Sequence, residues 1–207
     1  VARFQTDLNN GLFFESTIPA GYGLGSSGAL CAAVYDRYAT QKTADLARLK
    51  TVFASMESFF HGQSSGIDPL TIYLNRALWI DNRTEVSYVD PQPWTPAAPV
   101  VFLLDSHLPR QTGPLVQWFL EQSRAPAFAR LLEQQLFPAH EAALEAWQNG
   151  DSENFWPALQ QVSTFQFEHF PPMIPATVRD VWKTCLNKTD VLLKICGAGG
   201  GGFVLGF

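Results

Sequence analysis

Apolar positions in the first 40 residues follow two different periods. Residues 3–18 hold mixed apolar runs on both sides of Asn9-Asn10-Gly11. Because an Asn-Gly pair between such runs is typical of a tight turn, this stretch is predicted to form two strands of a β-hairpin. Over residues 26–39, Leu30, Val34 and Tyr38 recur at every fourth position, which predicts a helix.

A second helix is predicted over residues 43–60, with Thr43 as its N-terminal cap. Its apolar residues recur at helical spacing, and Glu57 falls at the edge of the stripe that they form. A carboxylate at such a buried edge needs a partner. Three short strand-like stretches follow, at residues 72–74, 77–80 and 85–89.

The richest proline cluster of the chain, residues 91–99, is the predicted domain boundary. It divides the chain into domains 1–98 and 99–207. The second domain is predicted to open with a buried strand, VVFLLD, and to continue with helical stretches at residues 113–135, 140–148 and 153–167. The strand-like segments VLLKIC and FVLGF follow, joined by a glycine loop at residues 197–202.

Composition restricts the class of protein. The 207 residues are 46% hydrophobic, so they can bury a core. The 19 acidic residues outnumber the 14 basic ones, and no basic run occurs, which argues against a nucleic-acid partner. The three cysteines are far apart in sequence and are predicted to be reduced thiols of a cytoplasmic protein. No long apolar run or signal peptide is found, so no membrane contact is predicted.

The segment IPAGYGLGSSGAL, residues 18–30, places glycine and serine just before the first predicted helix. Unpaired backbone N–H groups and the positive end of the helix macrodipole predict a phosphate cradle at residues 21–27. A Walker-type loop is excluded, because no lysine follows the glycines at the required spacing. The spacing Gly-x-Gly-x-x-Gly occurs here and again at residue 197. Neither copy fits a dinucleotide-binding unit, since helical sequence follows the first and too few residues follow the second.

The glycine loop at residues 197–202 has five glycines in six positions. A hairpin turn needs fewer, so a close approach of this backbone to another group is predicted. The alternative is a flexible turn between two strands.

Several motifs resemble those of the GHMP small-molecule kinases, which include galactokinase, homoserine kinase, mevalonate kinase and phosphomevalonate kinase. PAGYGLGSSGA resembles their second motif, and KICGAGGGGF resembles their third. MESFFHGQSSGID is similar to the mevalonate kinase stretch in which a helical Glu precedes His-Gly-x-x-Ser-Gly-x-Asp. LLDSHLPRQTGPLV is similar to the Pro-Arg-x-Thr segment of mevalonate kinases.

The resemblance implies an α+β, two-domain GHMP kinase fold. Its N-terminal part, here truncated, would be like the second domain of a ribosomal protein, and its C-terminal domain would be ferredoxin-like. The implied activity is an ATP- and Mg²⁺-dependent transfer of phosphate to the hydroxyl of mevalonate.

The same resemblance implies roles for individual residues. Asp68 would accept the proton of the substrate hydroxyl or orient that hydroxyl, and Ser27 and Glu57 would hold Mg²⁺. The residues implied for nucleotide binding are Gly21, Gly23, Leu24, Gly25, Ser26, Ser27, Gly197, Ala198, Gly199 and Gly200. The residues implied for the substrate are His61, Ser65, Arg110 and Thr112. Lys194 is a further cation near the third motif, although the resemblance makes it a strand residue.

The sequence departs from the family at three places. Asn75-Arg76 stands where Gly-Gly is usual, and Cys196 stands where Thr is usual. The family's first motif with its lysine is missing, and we expect it to lie upstream of Val1. The chain is therefore predicted to lack an N-terminal portion of the kinase.

Plainer explanations stay open for the main site residues and for the whole chain. Ser27 could belong to an ordinary Ser-capped helix, Glu57 could pair with an arginine, and Asp68 could be a turn residue before a proline. The chain could be a kinase for a sugar, phosphomevalonate or another hydroxy acid, or a non-catalytic nucleotide- or metabolite-binding protein. A small-molecule partner is predicted, and a homodimer is left open.

Overall fold

The computed structural model describes residues 2–62, 64–81, 85–94, 98–110, 112–188 and 190–207. The chain forms two compact units, of which the first comprises residues 1–20 and 24–90 and the second comprises residues 21–23 and 91–207. Both units contain helices and strands, so the predicted α+β class is confirmed. The domain limits 1–98 and 99–207 stay a prediction.

The first unit packs helices around one aromatic core. Its elements are α1 (Ala2–Asn9), α2 (Ser26–Tyr38), α3 (Leu46–His61), α4 (Ile67–Leu74), β1 (Leu78–Asp81) and β2 (Glu85–Tyr88). The rings of Tyr35, Phe53 and Tyr73 contact one another, with centroids 5.0, 5.2 and 5.5 Å apart. Strands β1 and β2 pair antiparallel, with Leu78 opposite Tyr88. The strands predicted at residues 77–80 and 85–89 are therefore confirmed.

The predicted hairpin over residues 3–18 is wrong, because α1 occupies the first half of that stretch. Gly11, with φ 88°, ends the helix in a left-handed conformation. The Gly11 N–H donates to the Leu8 carbonyl (3.0 Å) and the Leu12 N–H to the Asp7 carbonyl (2.9 Å). This is the Schellman arrangement that glycine favours at helix C-termini. The Asn-Gly pair therefore ends a helix here and does not form a hairpin turn.

Helix α3 confirms the second predicted helix but starts later than predicted. Its cap is Asp45, whose carboxylate accepts a hydrogen bond from the Arg48 N–H at 2.8 Å. The hydroxyl of Thr43, the predicted cap, accepts from the Asp45 N–H at 3.1 Å. Aspartate caps at least as well as threonine, so the cap falls two residues further along the chain.

Residues 72–74, predicted as a strand, lie in helix α4. Gly66, with φ 73°, starts this helix, and Pro69 occupies its first turn, where a missing N–H costs nothing. Leu70 is fully buried, and Tyr73 and Leu74 pack against the same core. Apolar residues three and four positions apart are typical of a helix, and this spacing outweighs the strand preference of Ile72.

The second unit combines a small sheet with several helical segments, which include a short 3-10 turn at Pro171–Met173. The strands are β3 (Phe102–Asp105), β4 (Leu193–Ile195) and β5 (Phe203–Gly206), with β5 central and antiparallel to both neighbours. The helices are α5 (Thr112–Ser123), α6 (Pro126–Leu131), a π-helical turn (Leu132–Leu136), α7 (Phe137–Asn149), α8 (Ser152–His169) and α9 (Ala176–Cys185). The largest buried side chain, Trp182, donates its indole N–H to the Ser163 hydroxyl at 3.0 Å.

Two further predictions for the second unit need correction. Only Phe102–Asp105 of the segment VVFLLD form a strand, which lies at a sheet edge, and its first residues, Phe102 and Leu103, are exposed. The helix predicted over residues 113–135 is divided after Ser123, because Pro126 starts a new helix and holds Ala125 in an extended conformation. In the described part of the chain, no helix is long and apolar enough to span a membrane.

Candidate active site

Helix α2 begins without a side-chain cap. Its N-cap residue is Gly25, which has a left-handed backbone (φ 72°, ψ 36°) and, being a glycine, has no side chain to cap the helix. The first N–H groups of a helix have no acceptor within it, so this end suits an anion. Ser26 and Ser27 belong to the first turn itself. The alternative of a Ser-capped helix therefore does not describe this helix start.

Glu57 on α3 is a buried carboxylate, only 5% exposed. The Ser27 hydroxyl donates to its Oε1 at 3.0 Å, and the Ser64 hydroxyl donates to its Oε2. The predicted partner of this carboxylate is thus a pair of hydroxyls. Burial, and to a smaller extent the charge of Glu57, raises the pKa of the neighbouring Cys31 thiol.

Asp68 lies beside the start of α2. A Cβ atom added at Gly25 would lie 3.6 Å from the Asp68 Cβ and 3.7 Å from its Oδ2. Asp68 is also in the first turn of α4, so the positive ends of two helices favour a negative charge here. Gly28 makes the approach of α2 and α4 possible, because a Cβ there would lie 2.9 Å from the Pro69 backbone nitrogen.

The donor set at Glu57 fits Mg²⁺ held jointly with phosphate oxygens. Mg²⁺ prefers one or two carboxylates, and it takes its remaining oxygen ligands from water and substrate phosphates. Glu57 and Ser27 offer one carboxylate and one hydroxyl in contact with each other. Within the described ranges, no three His, Cys, Asp or Glu residues gather into a metal cluster.

In the second unit, Arg110 joins two glycine-rich segments. Its Nη1 donates to the Cys196 carbonyl at 2.8 Å, and its backbone N–H donates to the Gly21 carbonyl at 3.1 Å. A Cβ added at Gly197 would lie 2.7 Å from Arg110 Nη1, and one at Gly23 would overlap the same guanidinium. The predicted substrate contact of Arg110 stays a prediction, and the contacts described here are with the main chain.

The glycine loop at residues 197–202 packs closely against its own unit. Added Cβ atoms would collide with the backbone carbonyls of Met173 at Gly199 and of Tyr22 at Gly202. The Gly200 N–H donates to the Met173 carbonyl at 2.6 Å. The predicted close approach of this backbone is therefore confirmed, with the chain itself as the neighbour. The nucleotide contacts implied for this loop, including Ala198, stay predictions.

Comparison with known proteins supports the fold described above. Residues 2–76 match the family model for the GHMP kinases N terminal domain. The solved structure of Streptococcus pneumoniae phosphomevalonate kinase in complex with phosphomevalonate and AMPPNP is similar over 89% of this chain, with a TM-score of 0.53 and 19% sequence identity. The chain has the GHMP kinase fold. It covers 61% of the length of that kinase chain. No curated protein matches the sequence.

The remaining predicted site residues of this GHMP kinase fold are less defined by contacts. His61 is the last residue of α3, and its side chain lies outside the described part of the structure. Ser65 and Thr112 are exposed, and the Ser65 hydroxyl accepts from the Ile67 N–H at 3.4 Å. Lys194 lies in β4, where its Nζ donates to the Ile195 carbonyl at 3.3 Å and burial lowers its pKa.

Asn75-Arg76, which replaces the usual Gly-Gly, has a clear structural role. Asn75 ends α4 in a left-handed conformation with φ 50°. Asparagine is the residue after glycine that best tolerates this backbone. Arg76 pairs with Asp90 at 2.9 Å and lies 4.2 Å from the ring centre of Tyr88. This departure from the family pattern therefore keeps the backbone conformation that a glycine would supply.

Ser64 is the site residue that the sequence reasoning missed. The motif comparison left its position unspecified and directed attention to the adjacent Ser65. A local signal existed, because a Ser two residues before a Gly often accepts a hydrogen bond from that backbone N–H. The Gly66 N–H does donate to the Ser64 hydroxyl, at 3.0 Å.

Proposed function

We propose that this chain is part of a kinase that transfers the γ-phosphate of ATP to the hydroxyl of mevalonate. One observation carries the proposal. The first unit brings a buried carboxylate, Glu57, into contact with the Ser27 hydroxyl at an uncapped helix start, and a second carboxylate, Asp68, lies beside that start. Phosphoryl transfer requires such a combination of anion cradle, metal ligand and proton acceptor.

Each group has a separate task in this proposal. The backbone N–H groups at Gly25 and Ser26 would hold phosphate oxygens at the positive end of α2. Ser27 and Glu57 would hold Mg²⁺, which when bound neutralises charge on the β- and γ-phosphates. Asp68 would take the proton of the attacking hydroxyl. A new bond forms between that oxygen and the γ-phosphorus, the bond to the β-γ bridging oxygen breaks, and ADP leaves.

Phosphomevalonate is the second candidate acceptor. The similar solved structure is a phosphomevalonate kinase with phosphomevalonate and AMPPNP bound. The Pro-Arg-x-Thr segment at residues 109–112 resembles mevalonate kinases instead, which is why mevalonate stands first. Mevalonate carries a hydroxyl at its reacting end, whereas phosphomevalonate carries a phosphate there. One assay with both acceptors therefore separates the two candidates.

The test measures ADP release by this protein with MgATP and mevalonate, phosphomevalonate, galactose or homoserine in parallel reactions. Release with mevalonate alone is the expected result. Release with phosphomevalonate alone would replace the acceptor and keep the kinase. A protein that binds MgATP and releases no ADP with any of the four is either an incomplete kinase or a non-catalytic binding protein. The same assay on a longer chain that includes residues upstream of Val1 separates the two, and no ADP release there would contradict the proposal.

A further inference from the structure

Both oxygens of the Glu57 carboxylate accept a hydrogen bond from a hydroxyl. Ser27 on α2 donates to Oε1 at 3.0 Å, and Ser64 in the loop before α4 donates to Oε2. A buried charge is costly unless it is paired and hydrogen-bonded. The Ser27 contact belongs to the metal site described above, whereas the Ser64 contact has no role there so far.

Ser64 is itself fixed by its neighbours. Its N–H donates to the Ser58 hydroxyl at 3.1 Å, and the Ser58 hydroxyl donates to the Ala54 carbonyl at 2.7 Å. The Ser64 oxygen accepts from the Gly66 N–H at 3.0 Å. A serine hydroxyl has one proton to donate, and here it is directed to Glu57. The position of this hydroxyl is therefore set by α3 and by the loop together.

The loop that carries Ser64 has no room to move toward α3. A Cβ added at Gly66 would lie 2.5 Å from the Ala54 backbone nitrogen and 3.0 Å from its Cα. Gly66 is also the N-cap residue of α4, and Asp68 follows two residues later. The hydrogen bond between Ser64 and Glu57 thus connects the carboxylate on α3 to the turn that begins the helix of Asp68.

We propose that Ser64 is a positioning residue, which orients the Glu57 carboxylate toward Ser27 and fixes it relative to the first turn of α4. This proposal rests on the proposed function, because orienting Glu57 matters only if that carboxylate is a ligand of Mg²⁺. With Ser64 absent, the carboxylate could rotate and lose its alignment with Ser27. Hydrogen-bond partners of metal ligands typically change metal affinity by about 10- to 100-fold when they are removed.

The experiment is a double-mutant cycle on the full chain, with Ser64→Ala, Glu57→Gln and the double variant. Mn²⁺ binding in the presence of ADP is followed by electron paramagnetic resonance, and unfolding by urea is measured in parallel. Ser64→Ala should weaken Mn²⁺ binding about tenfold in the wild-type background and by less than about twofold in the Glu57→Gln background. Ser64→Thr, which keeps a hydroxyl, should restore most of the affinity.

Thr51→Ala is the matched control. Thr51 lies on the same helix, is exposed, and donates its hydroxyl to the Ala47 carbonyl at 2.9 Å. This variant loses one hydroxyl without touching Glu57, so its Mn²⁺ affinity should equal that of the wild type.

The outcomes separate the two proposals. Equal losses of Mn²⁺ affinity from Ser64→Ala in both backgrounds, or no loss, would overturn the positioning role. Coupling between Ser64 and Glu57, combined with no ADP release from any acceptor by this chain or by a longer one that includes residues upstream of Val1, would support the positioning role and contradict the proposed function. A wild-type protein that does not bind Mn²⁺ with ADP would overturn both.

Discussion

Glu57 in the first unit and Arg110 in the second both connect segments that are distant in sequence, but they do so with different partners. Glu57 accepts hydrogen bonds from the side-chain hydroxyls of Ser27 and Ser64. Arg110 donates from its side chain to the main-chain carbonyl of Cys196. A hydroxyl group can rotate and direct its proton to a new partner, whereas the carbonyl groups of a closely packed loop cannot change their direction.

This difference predicts two kinds of response to substitution. The first cluster, which comprises Glu57 with Ser27 and Ser64, can exchange its hydroxyl donors for a cation. Changes there should therefore appear mainly in metal binding and turnover. The second cluster comprises Arg110 and the main-chain carbonyls of Cys196 and Gly21, which the packed glycine segments hold in place. Changes there should therefore appear mainly in the free energy of unfolding. Each of the following substitutions tests one side of this comparison.

Asp68→Asn should have the largest effect, and it should be an effect on turnover. Loss of a proton acceptor typically lowers kcat by about 10²- to 10⁴-fold. The free energy of unfolding should fall by no more than about 1 kcal/mol, the usual contribution of a carboxylate at a helix N-terminus. ADP release and urea unfolding measure the two quantities. The control is Asp36→Asn, which removes an exposed carboxylate that pairs with Lys42 at 2.7 Å. Near-normal turnover of Asp68→Asn would show that Asp68 has no part in the mechanism.

Arg110→Ala should act in the opposite way, mainly on stability. Removing a charge-assisted hydrogen bond to a main-chain carbonyl costs about 1.5–3 kcal/mol, and the two glycine segments lose their common partner. The midpoint of urea unfolding measures this loss. Arg130→Ala, an exposed arginine of α6, should change the free energy of unfolding by less than about 0.5 kcal/mol. Unchanged stability with a raised KM for the acceptor would favour the predicted substrate contact instead.

Gly28→Ala should act on stability although Gly28 lies near the first cluster, because it changes the packing of the α2 backbone against α4 and leaves the hydroxyl donors of Glu57 in place. The new Cβ would lie 2.9 Å from the Pro69 nitrogen and 3.1 Å from the Asp68 carbonyl carbon, so α2 and α4 would have to separate. We expect a loss of about 1–3 kcal/mol in the free energy of unfolding. Gly113→Ala in the first turn of α5 is the matched control, because nothing lies within 4 Å of its added Cβ. That variant should gain up to about 1 kcal/mol, and equal effects at both positions would contradict the close approach of α2 and α4.

Those parts of the fold and the site could be predicted from the sequence in which a local residue pattern fits only one structure. The helical spacing of Leu30, Val34 and Tyr38 predicted α2, and the placement of Glu57 at the edge of a buried stripe predicted that it needs a partner. Both predictions depend on side-chain periodicity within one helix, which the sequence contains directly. The GHMP kinase fold came from motif resemblance, and the comparisons confirm it.

The errors occurred where one short pattern fits two structures. Asn10-Gly11 suits a hairpin turn and a helix C-terminus equally well, and only the hydrogen bonds made by Gly11 and Leu12 distinguish them. Ile72 favours a strand by propensity, but burial of Leu70 decides for a helix. Ser64 was missed because its partner is seven residues away on another element. Such contacts depend on how α3 and the following loop pack, which no local pattern determines.

The smallest effect is expected for the reactivity of Cys31 when Glu57 is changed to Gln. This reactivity tests whether the charge of Glu57 influences a neighbouring group in the absence of any ligand. Burial raises the pKa of both Cys31 and Cys185, and Glu57 contributes only to the shift of Cys31. Glu57→Gln removes the negative charge, which should lower the pKa of Cys31 and increase its thiolate fraction. The rate of alkylation by iodoacetamide at Cys31 should therefore rise relative to Cys185, by less than about tenfold, the factor of one pKa unit. Mass spectrometry of the labelled peptides gives this ratio. A ratio unchanged by Glu57→Gln would mean that Glu57 carries no charge that Cys31 senses, and the contrast between an acid-centred first cluster and an arginine-centred second cluster would fail.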